Sequence, residues 1–228
     1  MVDTQILSQH QLLSFNLPGH GGGPYAAKED SYSLRGMAES LEGFLQRHAS
    51  RECVVVGWSL GGHIAMEVAS RTEHLRGLVL IAAPPTGFPL SGFRKMPRAA
   101  TTPHPSASEV HEHITGLCTS HEGAALFASD FAASDARMRP ALAQSIASGE
   151  FSDETELIKG DLPILTIVGQ DDPFIDIHYL ESLPWGNLWQ GEVQIVSDAK
   201  HAPHVDAPAA TALLISRFIE SLEPSSAK

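Results

Sequence analysis

Val54-Val55-Val56-Gly57-Trp58-Ser59-Leu60-Gly61-Gly62-His63-Ile64-Ala65 decides the reading of this chain. A β-branched run comes first, as in a buried strand. G-x-S-x-G follows, and then an apolar stripe of Ile64, Ala65, Val68 and Ala69 at helical spacing. A strand that turns directly into a helix needs residues without bulk on both sides of the turn, and Gly57, Gly61 and Gly62 supply them. Such a turn lifts the serine hydroxyl to the carboxyl end of the strand. The backbone N–H of the next residue points at the same spot from the start of a helix. Ser59 is therefore the candidate nucleophile, Leu60 the candidate oxyanion donor, and Trp58, beside the serine, a candidate substrate contact.

A serine needs a base, and the base needs an orienting acid. Working outward, the run Ile164–Val168 ends in Gly169-Gln170-Asp171-Asp172-Pro173, which sets a carboxylate at a strand end before a proline-marked loop. The weaker run Val193–Val196 leads into Ser197-Asp198-Ala199-Lys200-His201-Ala202-Pro203-His204, and a helix begins near Pro208. Acid and then histidine, both downstream of the serine, is the chain order that G-x-S-x-G elbows use. His201 is the candidate base. Asp171 and Asp172 are both placed to orient it.

The remaining pattern is that of an α/β fold. Leu12–Leu17, Cys53–Val56, Gly77–Ala82 and Ile164–Val168 are short apolar runs bounded by Gly, Pro or polar residues, as expected of parallel strands covered on both faces. Leu34, Met37, Leu41, Phe44 and Leu45 repeat at helical spacing, and so do Leu213, Leu214, Phe218 and Ile219. Residues 84–157 differ: a proline-rich entry is followed by Ala-rich helical periods over Glu109–Leu117, Gly123–Ala133 and Arg139–Ala147. They read as a helical cap inserted into a core of residues 1–83 and 158–228, with a flexible stretch near 89–106.

Composition narrows the partners. With 43% hydrophobic and 18% charged residues in 228, the chain is long and apolar enough for one sizeable core, which argues against disorder. Its net charge of −12 argues against binding nucleic acid. No apolar run is long enough to span a bilayer, and the first residues show no secretory pattern. The two cysteines, Cys53 and Cys118, suggest no disulfide framework, so a cytoplasmic setting is expected. The expected partner is a small molecule; oligomeric state is not legible.

These residues resemble the α/β-hydrolase superfamily. Three stretches are similar to the acyl-homoserine-lactone lactonases of that fold: Gly57 to Ile64, Gly169-Gln170-Asp171-Asp172-Pro173-Phe174-Ile175, and Gly186-Asn187-Leu188-Trp189-Gln190-Gly191 followed by His201-Ala202-Pro203. The similarity also covers Leu17-Pro18-Gly19-His20-Gly21 and Pro84-Pro85. G-W-S-L-G-G-H is shared with other hydrolase families, so the subfamily reading rests on G-N-L-W-x-G. The resemblance implies hydrolysis of a carboxylic ester, foremost the lactone ring of an N-acyl-homoserine lactone or a similar small acyl ester, with no cofactor and no metal. It selects Asp172 over Asp171, since the acid stands three residues after Gly169; those lactonases carry Glu there. It sets His113 at the place of a cap-helix tyrosine that assists at the lactone. An exposed cap residue is the other reading of His113.

By the same resemblance the family's first strands are missing. Leu12–Leu17 matches the fourth strand, residues 1–11 have room only for the end of a helix, and the strand that lies between the fourth and the fifth is absent. An N-terminally truncated hydrolase, either a genuine short form or one with a misplaced start, weakly active and less soluble than a version extended upstream, is the expectation. His20-Gly21-Gly22-Gly23 resembles the HGGG oxyanion motif of some esterases. Gly21 can supply a second donor if Leu12–Leu17 pairs with Cys53–Val56; otherwise the stretch is a turn.

Rival chemistries fit less well. His111-Glu112-His113 is not H-E-x-x-H, because Thr115 stands at the second ligand position. Gly19-His20-Gly21-Gly22-Gly23-Pro24 lacks the third glycine of a dinucleotide fingerprint. A general carboxylesterase or thioesterase, and a truncated, catalytically weak ligand-binding relic, are the remaining alternatives.

Overall fold

The computed structural model describes residues 5–21, 23–49, 53–72, 75–85 and 92–222. Its centre is a parallel sheet in the order β1 (Cys53–Trp58), β2 (Leu75–Ile81), β3 (Ile164–Gly169), β4 (Gln194–Val196). Helix α1 (Leu34–His48) precedes β1 and α2 (Leu60–Ala69) follows it. Among the described residues five helices lie between β2 and β3: α3 (Arg98–Thr101), α4 (Ala107–Leu117), α5 (His121–Ala133), α6 (Met138–Ser148) and α7 (Thr155–Lys159). Then come α8 (Ile177–Ser182), α9 (Pro203–Asp206) and α10 (Pro208–Ser221).

The strands are apolar throughout because both faces are covered. Successive side chains alternate between faces. Val79, Ile81, Leu165 and Ile167 pack against Ile215 and Phe218 of α10. Leu78, Leu80 and Ile164 face the other way, onto Ala65 and Met66 of α2 and Leu157 and Ile158 of α7. The stripe of α1 buries Leu34, Met37 and Ala38 against Ile64 and Val68 of α2 and Met138 and Leu142 of α6. Serine caps set several starts: the hydroxyls of Ser33, Ser106 and Ser120 accept the N–H of Gly36, Glu109 and Gly123, and Glu109 completes a capping box.

Most expected elements form, with ends shifted by a few residues. Cys53–Val56 extends to Trp58, and residues 92–157 hold helices with no strand of the sheet among the described residues. The proline-rich stretch folds locally into α3; its residues 89–91 lie outside the described ones. In α10 the buried face is carried by Thr211, Ala212, Ile215, Ser216 and Phe218, while Leu213 is exposed.

Leu12–Leu17 is a clear departure. It forms no strand, and no strand pairs with the outer edge of β1 among the described residues. Leu12 and Leu13 are exposed by 51% and 45%, and Phe15 rests on Phe44 of α1 with ring centroids 5.1 Å apart. The segment is thus held by side-chain contact with α1 rather than by a ladder. Between it and β1 runs a groove of about 670 Å³, walled by Leu12, Leu13, Phe15, Phe44, Val54 and Val56. An apolar run becomes a strand only beside a partner within hydrogen-bonding reach. Upstream, residues 5–10 form turns rather than a helix end, with Ser8 N–H donating to Gln5 O and His10 N–H to Leu7 O.

Candidate active site

Ser59 sits at the junction of β1 and α2 with φ 49° and ψ −118°, a conformation that costs free energy in any residue but glycine. The surroundings hold it there. Its N–H donates to Ile81 O at 2.9 Å, and its carbonyl accepts from Gly62 at 2.9 Å and His63 at 3.2 Å. A Cβ on Gly57 would run into the Gly61 carbonyl, so the turn closes only with glycine there. The Leu60 N–H, in the first turn of α2, meets no acceptor among the described residues.

Two further side chains converge on the serine. His201 Nε2 lies 2.9 Å from Ser59 Oγ, and His201 Nδ1 lies 2.9 Å from Asp172 Oδ2. Asp172 Oδ1 accepts the N–H of Phe174 at 2.8 Å and of Ile175 at 3.1 Å, which fixes the carboxylate. Both His201 and Asp172 are buried; Asp171 is exposed and its N–H donates to Ala199 O at 2.9 Å. Neighbouring parallel strands account for the meeting. Gly169 of β3 pairs with Val196 of β4, and a Cβ on Gly169 would strike the carbonyls of Ala199 and Lys200. Glycine lets the loop that carries His201 pass directly over the end of β3.

Aromatic rings and histidines line this row. Trp58 Nε1–H donates to His201 O at 2.7 Å, and its ring packs against Phe127 of α5 and His204. Phe174 meets His201 edge-on at 5.1 Å and lies 6.1 Å from His113 of α4. His63 stacks near Phe93 at 6.0 Å. Burial pulls His63, His113 and His204 down to about 4; the charge of His201 adds to the shift at His63 and, with Arg139, at His113. All three imidazoles are neutral near pH 7. Nδ1 of His63 and of His113 is buried with no hydrogen-bond partner among the described residues.

Gly21 lies elsewhere. Its turn is closed by His20 N–H to Leu17 O at 3.0 Å and Gly23 N–H to His20 O at 2.8 Å, and the open side of Gly21 faces Asp130 of α5. The strand pairing on which its oxyanion role depended is not formed. Among the described residues no group of three or more His, Cys, Asp or Glu side chains is arranged to hold a metal. No helix among the described residues is long and apolar enough to cross a membrane.

With this geometry in view, the comparison with known proteins is direct: the model of the alpha/beta hydrolase fold matches residues 3–208. The chain belongs to the alpha/beta hydrolase fold family. Among solved structures it is similar to an N-acyl homoserine lactonase, AidH, in complex with N-hexanoyl homoserine lactone. Identity is 30% and the TM-score 0.82, over 91% of this chain and 78% of that one. Among curated proteins it is 24% identical over 226 residues to the biotin biosynthesis bifunctional protein BioHC of Cellvibrio japonicus. That match covers 91% of this chain but 42% of the relative, so the chain spans less than half of that protein's length. A pimeloyl-[acyl-carrier protein] methyl ester esterase of Yersinia pseudotuberculosis is 24% identical over 233 residues, 90% of this chain and 81% of the relative. The proteins to which this alpha/beta hydrolase fold chain is similar thus include a lactonase and a methyl ester esterase.

Sequence reasoning missed His63, His204 and Phe174 as neighbours of the row. His63 lies one turn after Ser59 and Phe174 two residues after Asp172, so proximity to the candidate residues was the available signal.

Proposed function

We propose that this chain is a serine hydrolase of carboxylic esters, and that its substrate is an N-acyl-homoserine lactone or a similar small acyl ester. The observation that carries the reading is the hydrogen-bonded row Ser59–His201–Asp172, with the serine held at φ 49° at the start of a helix. In this mechanism Ser59 Oγ passes its proton to His201 Nε2 and attacks the carbonyl carbon, while Asp172 holds the tautomer that leaves Nε2 free. The oxyanion is received by the Leu60 N–H. Collapse of the tetrahedral adduct expels the alkoxide, which takes the proton from His201. Water then gives a proton to His201 and attacks the acyl-enzyme, and His201 returns that proton to Ser59 Oγ as the acid leaves. When a lactone is opened the alcohol stays on the acyl part, so this second step frees a hydroxy acid. Trp58 and His113 border the substrate, and residues 84–157 form the cap in which the acyl chain lies.

The lactone assignment draws on the likeness to AidH at 30% identity. A general carboxylesterase is the second reading, favoured by the methyl ester esterases among the relatives. One experiment serves both: hydrolysis of p-nitrophenyl butanoate and of N-hexanoyl homoserine lactone by the native chain and by Ser59→Ala, with a fluorophosphonate label. Turnover of both, lost in the variant, supports a lactonase; ester turnover alone supports the esterase; labelling at a residue other than Ser59 overturns the mechanism.

A further inference from the structure

Helix α4 ends against the loop that carries His201. Cys118 leaves it in extended backbone, φ −149° and ψ 168°, so the last carbonyls of the helix take their partners from outside it. Two of those partners stand on either side of His201. Ala202 N–H donates to Leu117 O at 2.7 Å, and Lys200 Nζ donates to Thr115 O at 2.7 Å, which sets a cation at a helix C-terminus. The same turn of α4 reaches the acid: a Cβ on Gly116 would strike the ring of Phe174, whose N–H donates to Asp172 Oδ1.

Asp206, the last residue of α9, closes this corner. Its Oδ1 accepts the N–H of Thr119 at 2.7 Å and the hydroxyl of Thr119 at 2.8 Å, and its Oδ2 accepts the N–H of Lys200 at 2.9 Å. One carboxylate thus holds both the turn between α4 and α5 and the residue before His201, through bonds strengthened by its charge. Its own N–H donates to Ala202 O at 3.1 Å, on the other side of His201. The three residues Lys200, His201 and Ala202 are therefore bracketed by Asp206 at both ends. Helix α5 presses on the neighbouring position: a Cβ on Gly123 would lie 2.7 Å from Val205 Cγ1.

We propose that Asp206 is a positioning residue for ester hydrolysis: by locking the histidine loop to the turn between α4 and α5, it sets the place of His201 between Ser59 and Asp172. This rests on the hydrolase reading. His201 keeps two contacts of 2.9 Å at once, to Ser59 Oγ and to Asp172 Oδ2, so a small shift of its backbone opens one of them. Asp206 bonds to neither ring nor serine; it acts through Lys200 and Ala202.

The test is Asp206→Asn, whose amide has one acceptor oxygen and so serves only one of the two sides. The control is Glu67→Gln: Glu67 of α2 also ties the helical segment to the core, accepting the N–H of Ser152 at 2.6 Å and its hydroxyl at 3.0 Å, with no bond to the histidine loop. Hydrolysis of p-nitrophenyl butanoate is measured per Ser59 counted by complete fluorophosphonate labelling, so loss of folded protein does not imitate the effect. The 1H resonance of His201 Nδ1–H, assigned by its loss in Asp172→Asn, reports the bond to Asp172 directly. Asp206→Asn should lower kcat and kcat/KM together by about tenfold, with KM within about twofold of native, and should shift or broaden the resonance. Glu67→Gln should lower Tm and leave both readouts native. If Asp206→Asn does not fold, Thr119→Val, which removes one bond to the same carboxylate, decides by the same readouts with a smaller fall. A lower Tm with native kcat and native resonance in Asp206→Asn overturns the proposal, and so does a rise in KM alone or an equal fall of kcat in the control; each leaves the hydrolase reading standing. If the native chain turns over no ester, the hydrolase reading fails and the resonance decides for Asp206: a change in Asp206→Asn absent from Glu67→Gln upholds its hold on His201, and a native resonance in both overturns it.

Discussion

The indole N–H of Trp58 donates to the carbonyl oxygen of His201 across 2.7 Å, tying the residue before Ser59 to the backbone of the histidine that meets Ser59. The bond joins the end of β1 to the loop after β4, two elements separated by the whole width of the sheet. It holds the backbone that carries the imidazole, while Asp172 holds the ring itself.

Trp58→Phe should therefore loosen the histidine loop without removing any reacting group. An unpaired, part-buried carbonyl costs about 1–3 kcal/mol. Expected are a lower Tm and slower fluorophosphonate labelling of Ser59, by about two- to tenfold if half of that cost falls on the geometry of the row. Unchanged labelling would mean that the loop is held by its other contacts.

Asp172→Asn and Asp171→Asn should separate cleanly, because only Asp172 touches His201. The first removes the acceptor that sets the tautomer and should lower kcat steeply, by up to about 10⁴. The second changes an exposed side chain and should do little. Steady-state kinetics on one p-nitrophenyl ester decides, and the reverse ranking would contradict the mechanism.

Gly169→Ala should act at a distance from the chemistry. The added Cβ meets the carbonyls of Ala199 and Lys200, so either β4 or the His201 loop must move. Forced displacement in a packed site costs about 1–3 kcal/mol. Chemical denaturation should show that loss, accompanied by a fall in kcat. A variant of native stability and activity would show that the loop yields freely.

Stability should decline in mild acid. His63, His113 and His204 are held down to about 4 by burial, whereas unfolded histidines titrate near about 6.5. The folded values are depressed, so the unfolded chain takes up protons first as pH falls. The contribution is complete above about 6.5 and lost towards 4, by up to about 1.4 kcal/mol per pH unit for each histidine. Tm measured across this window should drop, and less so in His63→Gln. A flat profile would contradict the burial of these rings.

The open edge of β1 should promote self-association. Val56 is 45% exposed on that strand, beside exposed Leu12 and Leu13. Light scattering should show concentration-dependent growth, reduced in Val56→Lys because a charge on an edge strand opposes pairing. Equal behaviour of the two chains would remove β1 as the sticky edge.

Twelve residues, Val54 to Ala65, were enough to locate the strand, the glycine-flanked turn and the helix, because each depends on spacing and residue size within a few positions. Asp172 and His201 were legible for the same local reason: each follows a short apolar run that ends in loop residues. The choice between Asp171 and Asp172 was open in the residue pattern and closed only by resemblance. The structure gives it a geometric cause, since the chain after β3 turns Asp172 inward and leaves Asp171 in water. Leu12–Leu17 was misread because apolarity over six residues says nothing about whether a second strand lies alongside. The neutral histidines were invisible, since burial belongs to no residue by itself. Spacing along the chain determined which groups face the end of the sheet; packing between elements distant in sequence determined which of them meet and which lose water.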